Sequence, residues 1–241
     1  MCGIFGFISA STTKEESLDI LNKMSKTLKN RGPDQYGYWH ELKDGIAIGQ
    51  RRLSIIDLSE NGKQPMISKS GRYVITFNGM IYNFRELRKE LNNKFSINWS
   101  GKSDTEVLLE SISNLGLRNT LSKITGMFAM GVWDRQEKEL FLIRDRAGEK
   151  PLFYAVNKES LIFGSELKAV QQHNKFSKNL NIYALNNYFR FGYISSPETI
   201  WENCYHVPPG SIIKISLGNI KQPFEEIKYW ELEKVNNKDN F

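Results

Sequence analysis

Cysteine and histidine are scarce in this chain of 241 residues, with two of the first and three of the second. Cys2 and Cys204 build no disulfide framework and no Cys-x-x-Cys metal knuckle, so a reducing, cytoplasmic compartment is the expectation. His40, His173 and His206 stand far apart and share no ligand spacing, and are expected as surface or packing residues. No apolar run approaches the ~18 residues that a membrane span needs. The first twenty residues lack the basic start and apolar block of a secretory signal. GxxxxGK[ST], GxGxxG and HExxH are missing, as are internal repeats and low-complexity blocks. The net charge is +6, yet the lysines are dispersed among acids, without a dense basic tract and interleaved aromatics. That is a basic surface rather than a nucleic-acid footprint. Neither membrane nor nucleic acid is expected as a partner, and no metal or phosphate cofactor.

Hydrophobic residues make up 40% of the chain, enough to build the core of one large domain or two small ones. CGIFGFIS at 2–9 reads as an apolar strand. EESLDILNKMSKTLKN spaces Leu18, Leu21, Met24 and Leu28 three and four apart, the stripe of an amphipathic helix, stopped by Asn30-Arg31-Gly32-Pro33. DGIAIGQRRLSIIDL reads as strand, turn and strand, and YVITFNG as a strand ending on an Asn-Gly turn. NFRELRKEL and SDTEVLLESISNLG are helical, the second with Ser103 and Glu106 at capping-box spacing. MFAMGVWD, ELFLIRD, PLFYAV and LIFGSE are closely spaced strands. SELKAVQQH and NIYALNNYFRFG read as helices, and periodicity is lost after Trp230. The sum is helices packed on largely antiparallel sheet.

The candidate chemistry begins at Cys2. Methionine before a small residue is commonly trimmed, which would put an α-amine and a thiol on one residue. Their reference pKa values are near 7.7–8.0 and 8.5. The amine then serves as base while sulfur attacks, with no histidine required. An ordinary strand residue is the other reading of Cys2, and core packing is the reading for Cys204. Attack on a carbonyl needs oxyanion donors. Asn78 and Gly79 offer a side-chain amide and an unencumbered N–H, or they are a plain turn. Arg51 and Arg52, placed at a strand start, face opposite ways, so at most one enters a site. Asp104, just inside a helix start, suits an ammonium group or stabilises the helix N-terminus.

Ten blocks in order carry a resemblance: CGIFGF at 2–7, RGPD at 31–34, RRLSIIDLS at 51–59, QPM at 64–66, FNGMIYNFREL at 77–87, SDTEVLL at 103–109, GMFAMGVWD at 126–134, RDRAGEKPLFY at 144–154, FGSELKA at 163–169 and FGYISSPETIWENCYHVPPG at 191–210. Together they resemble the class II glutamine amidotransferases, and the later blocks look most like the glutaminase half of asparagine synthetase. The resemblance implies an α+β fold, a four-layer αββα sandwich of stacked antiparallel sheets of N-terminal nucleophile hydrolase type, over residues 2–230. Residues 231–241 are then a tail or the start of a linker. It implies hydrolysis of the glutamine side-chain amide through a thioester on Cys2 after loss of Met1, with Asn78 and Gly79 as the oxyanion pair. Arg52 would grip the substrate α-carboxylate and Asp104 its α-ammonium, with backbone near Leu53 and Ile55 lining the pocket. Ammonia would pass to a C-terminal synthetase domain that this chain does not contain, and ATP and magnesium belong to that domain. A homodimer is compatible with the resemblance.

Two positions depart from the family pattern. Met80 stands where the family usually has a glutamate that helps bind the substrate ammonium. Ala147 and Glu149 stand where it commonly has phenylalanine and an aliphatic residue. Met80 leaves two readings open: glutamine held weakly, or a catalytically impaired scaffold that docks a synthetase domain. An amidotransferase of amino-sugar or purine pathways is a third reading.

Overall fold

The computed structural model describes residues 1–9, 12–218, 220 and 224–232. In chain order the first half holds β1 (Gly3–Ser9), α1 (Lys14–Thr27), β2 (Gln35–Glu41), β3 (Ile46–Arg52), β4 (Met66–Ile67), β5 (Tyr73–Ile81), α2 (Phe84–Lys94), α3 (Asp104–Leu115) and α4 (Leu117–Lys123). Then follow β6 (Gly126–Asp134), β7 (Glu139–Arg144), β8 (Phe153–Val156), β9 (Ser160–Gly164), α5 (Leu167–Val170), α6 (Ile182–Phe191), β10 (Cys204–His206), β11 (Ser211–Ser216) and β12 (Glu225–Lys228).

Alternation along the strands creates the layers. In β1, Ile4 and Ile8 point one way while Phe5 and Phe7 point the other, and all four are wholly buried. Strands β10-β8-β9-β1-β3-β2 form one antiparallel sheet and β12-β11-β7-β6-β5-β4 the other. Ile4 and Ile8 meet Val74, Trp133 and Leu142 from the facing sheet. Phe5 and Phe7 pack under Leu21 and Met24 of α1 and Leu28 at its C-cap. On the far side, Ile75 and Phe77 of β5 pack beneath Leu87 of α2 and Val107 and Ile112 of α3. Each such side chain contributes about 1.5–3 kcal/mol when fully buried, so the two-faced strands hold all four layers together. The result is the αββα sandwich.

Several local expectations are corrected. The segment after Arg52 forms no second strand, so Arg51 and Arg52 end a strand rather than start one. Asn78-Gly79 is no turn: β5 runs on to Ile81 because β6 pairs with it along its full length. Leu18 lies at the edge of the α1 stripe, and the buried face is completed by Ser17 and Ile20. Around SELKAVQQH only the single turn α5 is helical. Ser103 caps α3 through Glu106 N–H, 3.2 Å, but the Glu106 carboxylate turns to Ser100 and Gly101 N–H instead of closing a box. Of the proposed tail, residues 231 and 232 carry no helix or strand and 233–241 lie outside the described residues. In α6 only Ala184 is buried, while Ile182, Tyr183, Tyr188, Phe189 and Phe191 are exposed.

Candidate active site

The decisive local feature is a strand that stops early. β4 pairs with β5 only at Ile75 and Val74, so the edge of β5 beyond Thr76 has no neighbouring strand. Two side chains take over. Gln64 Oε1 accepts from Phe77 N–H at 2.7 Å, and Asp104 Oδ2 accepts from Ile81 N–H at 3.0 Å. Backbone groups alternate sides along a strand, so Gly79, midway between them, turns its N–H to the same open edge. Its partner across the sheet is Phe128, whose own N–H and C=O are taken by Asp145. Gly79 N–H therefore faces the cleft. A side chain at residue 79 is excluded, because its Cβ would lie 2.7 Å from Phe128 Cα.

That open edge forms one wall of a cleft with about 650 Å³ of free space, its mouth included. The cleft is lined by Cys2, Arg52, Leu53, Ile55, Asn78, Gly79, Met80 and Asp104, together with Met1, Gly62, Gln64 and Lys150 among others. All eight residues singled out in the sequence thus come to one place, from the segment before β1, from β3, β5 and α3, and from the loop after β3. None of the three histidines lines it. His173 and His206 pack on Phe7 and Phe153, and burial pushes each down to about 4. Cys204 is buried in the α1 layer, where burial pushes its thiol up to about 11.

Cys2 is held by its backbone and its sulfur. Arg31 Nε donates to the Cys2 carbonyl at 3.0 Å, and Arg31 pairs on its other side with Glu166 at 3.0 Å. Leu53 N–H donates to Sγ at 3.4 Å. Burial pushes the thiol up, while the Leu53 bond, the terminal ammonium and the Arg52 guanidinium pull it down.

Arg51 and Arg52 diverge as adjacent strand residues must. Arg51 turns out to Ser25 and lies over the Tyr36 ring. Arg52 is buried and donates to Gln35 Oε1 at 2.6 Å, Ser59 C=O at 3.2 Å and Asp57 C=O. These acceptors are neutral, and Arg52 forms no ion pair among the described residues, although its charge helps hold the nearby Asp57 carboxyl below its ordinary range. Asp104 is the reverse case. It is 6% exposed, and burial pushes its carboxyl up against the pull of the Ile81 and Thr105 N–H groups. It forms no ion pair among the described residues. The cleft thus carries buried cationic and anionic side chains, Arg52, Lys150 and Asp104, none of them in an ion pair among the described residues.

Asn78 is 1% exposed, and its Nδ2 has no hydrogen-bond partner among the described residues. An orphaned buried donor costs about 1–3 kcal/mol, so this amide is unsatisfied in a cleft wall.

Four contributors were not singled out as site residues: Gln64, Gly62, Arg31 and Lys150. Gln64 holds β5 and also donates to Thr105 Oγ1 at 3.1 Å. Gly62 lies against Arg52, where a Cβ would come 2.8 Å from Cζ. The available signal was polarity out of place, such as the glutamine closing the apolar run IAIGQ of β3. Gln50 is 1% exposed and donates to Phe77 C=O at 2.7 Å, bracing β5 from the facing sheet.

Two antiparallel sheets between helices, with the amino-terminal residues laid into a cleft between them and the α3 start, define the N-terminal nucleophile hydrolase type of fold. The family model for the glutamine amidotransferase domain matches residues 1–230, and the chain belongs to that family. It is 33% identical over 244 residues to "Asparagine synthetase [glutamine-hydrolyzing] 3" of Bacillus subtilis, covering 100% of this chain and 38% of that protein. It is 36% identical over 251 residues to "Putative asparagine synthetase [glutamine-hydrolyzing] 2" of Methanocaldococcus jannaschii, covering 96% of this chain and 47% of that protein. The chain therefore spans less than half the length of these curated relatives. Among solved structures, the glutamine phosphoribosylpyrophosphate amidotransferase of B. subtilis superposes with a TM-score of 0.65 at 19% identity, over 95% of this chain and 49% of that one. At that identity the likeness is one of fold.

Proposed function

We propose that this domain hydrolyses the side-chain amide of glutamine to glutamate and ammonia. One observation carries the reading: a thiol, an orphaned amide donor, and a buried guanidinium and carboxylate that form no ion pair among the described residues share a single cleft. Arg52 suits an α-carboxylate and Asp104 an α-ammonium, so the pair complements a zwitterionic amino acid. With Met1 removed, the Cys2 amine takes the thiol proton and sulfur bonds to the amide carbon. The carbonyl oxygen takes up the negative charge between Asn78 Nδ2 and Gly79 N–H. Collapse breaks the C–N bond, the amine returns the proton, and ammonia leaves. Water then cleaves the thioester to glutamate and restores the thiol. The test is intact mass with a diazo-ketone analogue of glutamine. Loss of Met1 and one adduct on Cys2 is expected, and a chain that has lost Met1 yet gains no adduct would overturn the reading.

In the whole protein the ammonia passes to a C-terminal ATP-dependent synthetase domain joined through residues 231–241. The relatives' character as glutamine-hydrolysing asparagine synthetases and the fraction of their length matched here support this. So do the exposed apolar side chains of α6, since large apolar groups left in solvent on one short helix suit an interaction surface. ATP and magnesium act on that domain, not on this one.

Gly62 and Met80 give two further expectations. Gly62→Ala sets a methyl against Arg52, displacing the guanidinium from the carboxylate it would hold. Glutamine KM is expected to rise about tenfold with kcat largely kept, the signature of lost uniform binding. An unchanged KM would separate Arg52 from substrate binding. Met80 lines the cleft with Asp104 and offers only a weak thioether acceptor. Met80→Glu adds a second anion for the substrate ammonium, and a KM about tenfold lower is expected. If instead neither form hydrolyses glutamine although Met1 is absent, the impaired scaffold is the correct reading.

A further inference from the structure

Lys150 is a buried cation with no ion-pair partner among the described residues. It is 7% exposed, and lysine is almost never buried unless paired. Its ammonium has three protons to donate. The acceptor it reaches is the thioether of Met1, at 3.2 Å, and it forms no ion pair among the described residues. Asp145 is close in sequence but already engaged. Its carboxylate accepts from the N–H groups of Phe128, Ala147, Glu149 and Lys150. Arg144 fixes the same loop from beneath, donating to the carbonyls of Lys150, Gly148 and Val207 at 2.8, 2.7 and 3.0 Å. Buried Asp145 and half-buried Arg144 thus fix the backbone of the loop without drawing on the Lys150 ammonium. The side chain lines the cleft with Cys2 and touches the residue that must depart before Cys2 has a free amine.

We propose that Lys150 is a positioning residue whose charge, set in the Cys2 cleft against the Met1 side chain, keeps the Cys2 amine free of its proton once Met1 is gone. The inference rests on the reading of Cys2 as an N-terminal nucleophile. A free α-amine is half protonated near neutral pH, and a protonated amine cannot act as a base. A neighbouring cation disfavours the second positive charge. The other charged groups facing Cys2 are Arg52 from the end of β3 and Asp104 from α3, which oppose one another. Arg31 holds the Cys2 carbonyl and is paired with Glu166. Lys150 tips this balance to positive. Thiol and amine then titrate as a coupled pair, and removing the lysine charge favours the protonated form of both, so both move up.

The test uses the full chain with loss of Met1 verified by mass. The rate of Cys2 alkylation by iodoacetamide, a neutral probe, is followed against pH, beside kcat/KM for glutamine. In Lys150→Met, similar in length and uncharged, the alkylation midpoint and the acid limb of kcat/KM are expected to rise by about one pH unit. KM on the plateau is expected to stay at the wild-type value, and Lys150→Arg to keep the wild-type profile. Should Lys150→Met melt early, Lys150→Gln carries the same comparison. Coincident midpoints in wild type and the uncharged variant would overturn the proposal, as would a raised KM with an unshifted profile. Alkylation that shifts as stated, in a chain that never hydrolyses glutamine, upholds Lys150 and overturns the glutaminase reading instead.

Discussion

Cys2→Ser is expected to lower glutamine hydrolysis by about 10⁴-fold or more, the scale of losing a nucleophile, while the melting temperature stays within a few degrees. The two halves of this expectation have different origins. Cys2 is only partly buried, and its sulfur contacts are two long, weak ones to the Leu53 backbone at 3.4 and 3.7 Å. Replacing sulfur by oxygen leaves Arg31 on the Cys2 carbonyl, so the terminus keeps its place. The chemistry has no such reserve. A hydroxyl is far harder to deprotonate than a thiol, and no histidine lines the cleft to help it. A chain forced to retain Met1 is expected to be equally inactive, because the nitrogen of Cys2 is then an amide and cannot act as base. Glutamate release and a thermal melt on the two forms check both halves. Substantial turnover in Cys2→Ser, or a collapse in stability, would remove Cys2 from the nucleophile's role.

The second large effect separates activity from stability by sign. Asn78→Ala is expected to lower kcat by about 10²–10³, the worth of one oxyanion donor, with KM nearly unchanged because the donor acts on charge that develops in the transition state. Stability should move little or even rise. The orphaned Nδ2 is a standing cost of about 1–3 kcal/mol, and truncation removes that cost along with a few contacts. A polar residue placed for the fold would behave in the opposite way, losing stability together with rate. Parallel measurement of kcat and melting temperature distinguishes the cases, and a fall in melting temperature matching the loss of rate would return Asn78 to the core.

How much of this was legible in the sequence depended on how far apart the cooperating residues lie. The alternation in CGIFGFIS and the stripe Leu21, Met24 and Leu28 are local, and they located the strand and helix that sandwich Phe5 and Phe7. The ordered blocks brought all eight candidate residues together before any geometry was available. Asn78-Gly79 reads locally as a turn because the dipeptide has a strong local preference, and β6, some fifty residues later, overrides it by pairing along the whole of β5. The missing second strand after Arg52 has a similar cause: the apolar Leu53, Ile55 and Ile56 suit a strand, yet they line the cleft mouth. What no local pattern encodes is the open edge of β5. It exists because β4 ends after two residues, and it is served by Gln64 and Asp104, which reach it from elsewhere in the chain. Lys150 is hidden for the same reason. Its neighbours in sequence look like a charged turn, and its burial becomes evident only where that turn meets the amino end.

The early end of β4 has a consequence for solubility. An uncovered strand edge is a template on which another chain can add a strand, and proteins blunt such edges with charge and local irregularity. Here the blunting falls to Gln64 and Asp104, which occupy Phe77 and Ile81 N–H and leave only Gly79 unsatisfied between them. The ladder is thereby broken into single donors too far apart for an intruding strand to propagate. The cleft is thus protected from its own kind by the side chains that shape it, and variants lacking both would self-associate through β5 whatever became of their substrate.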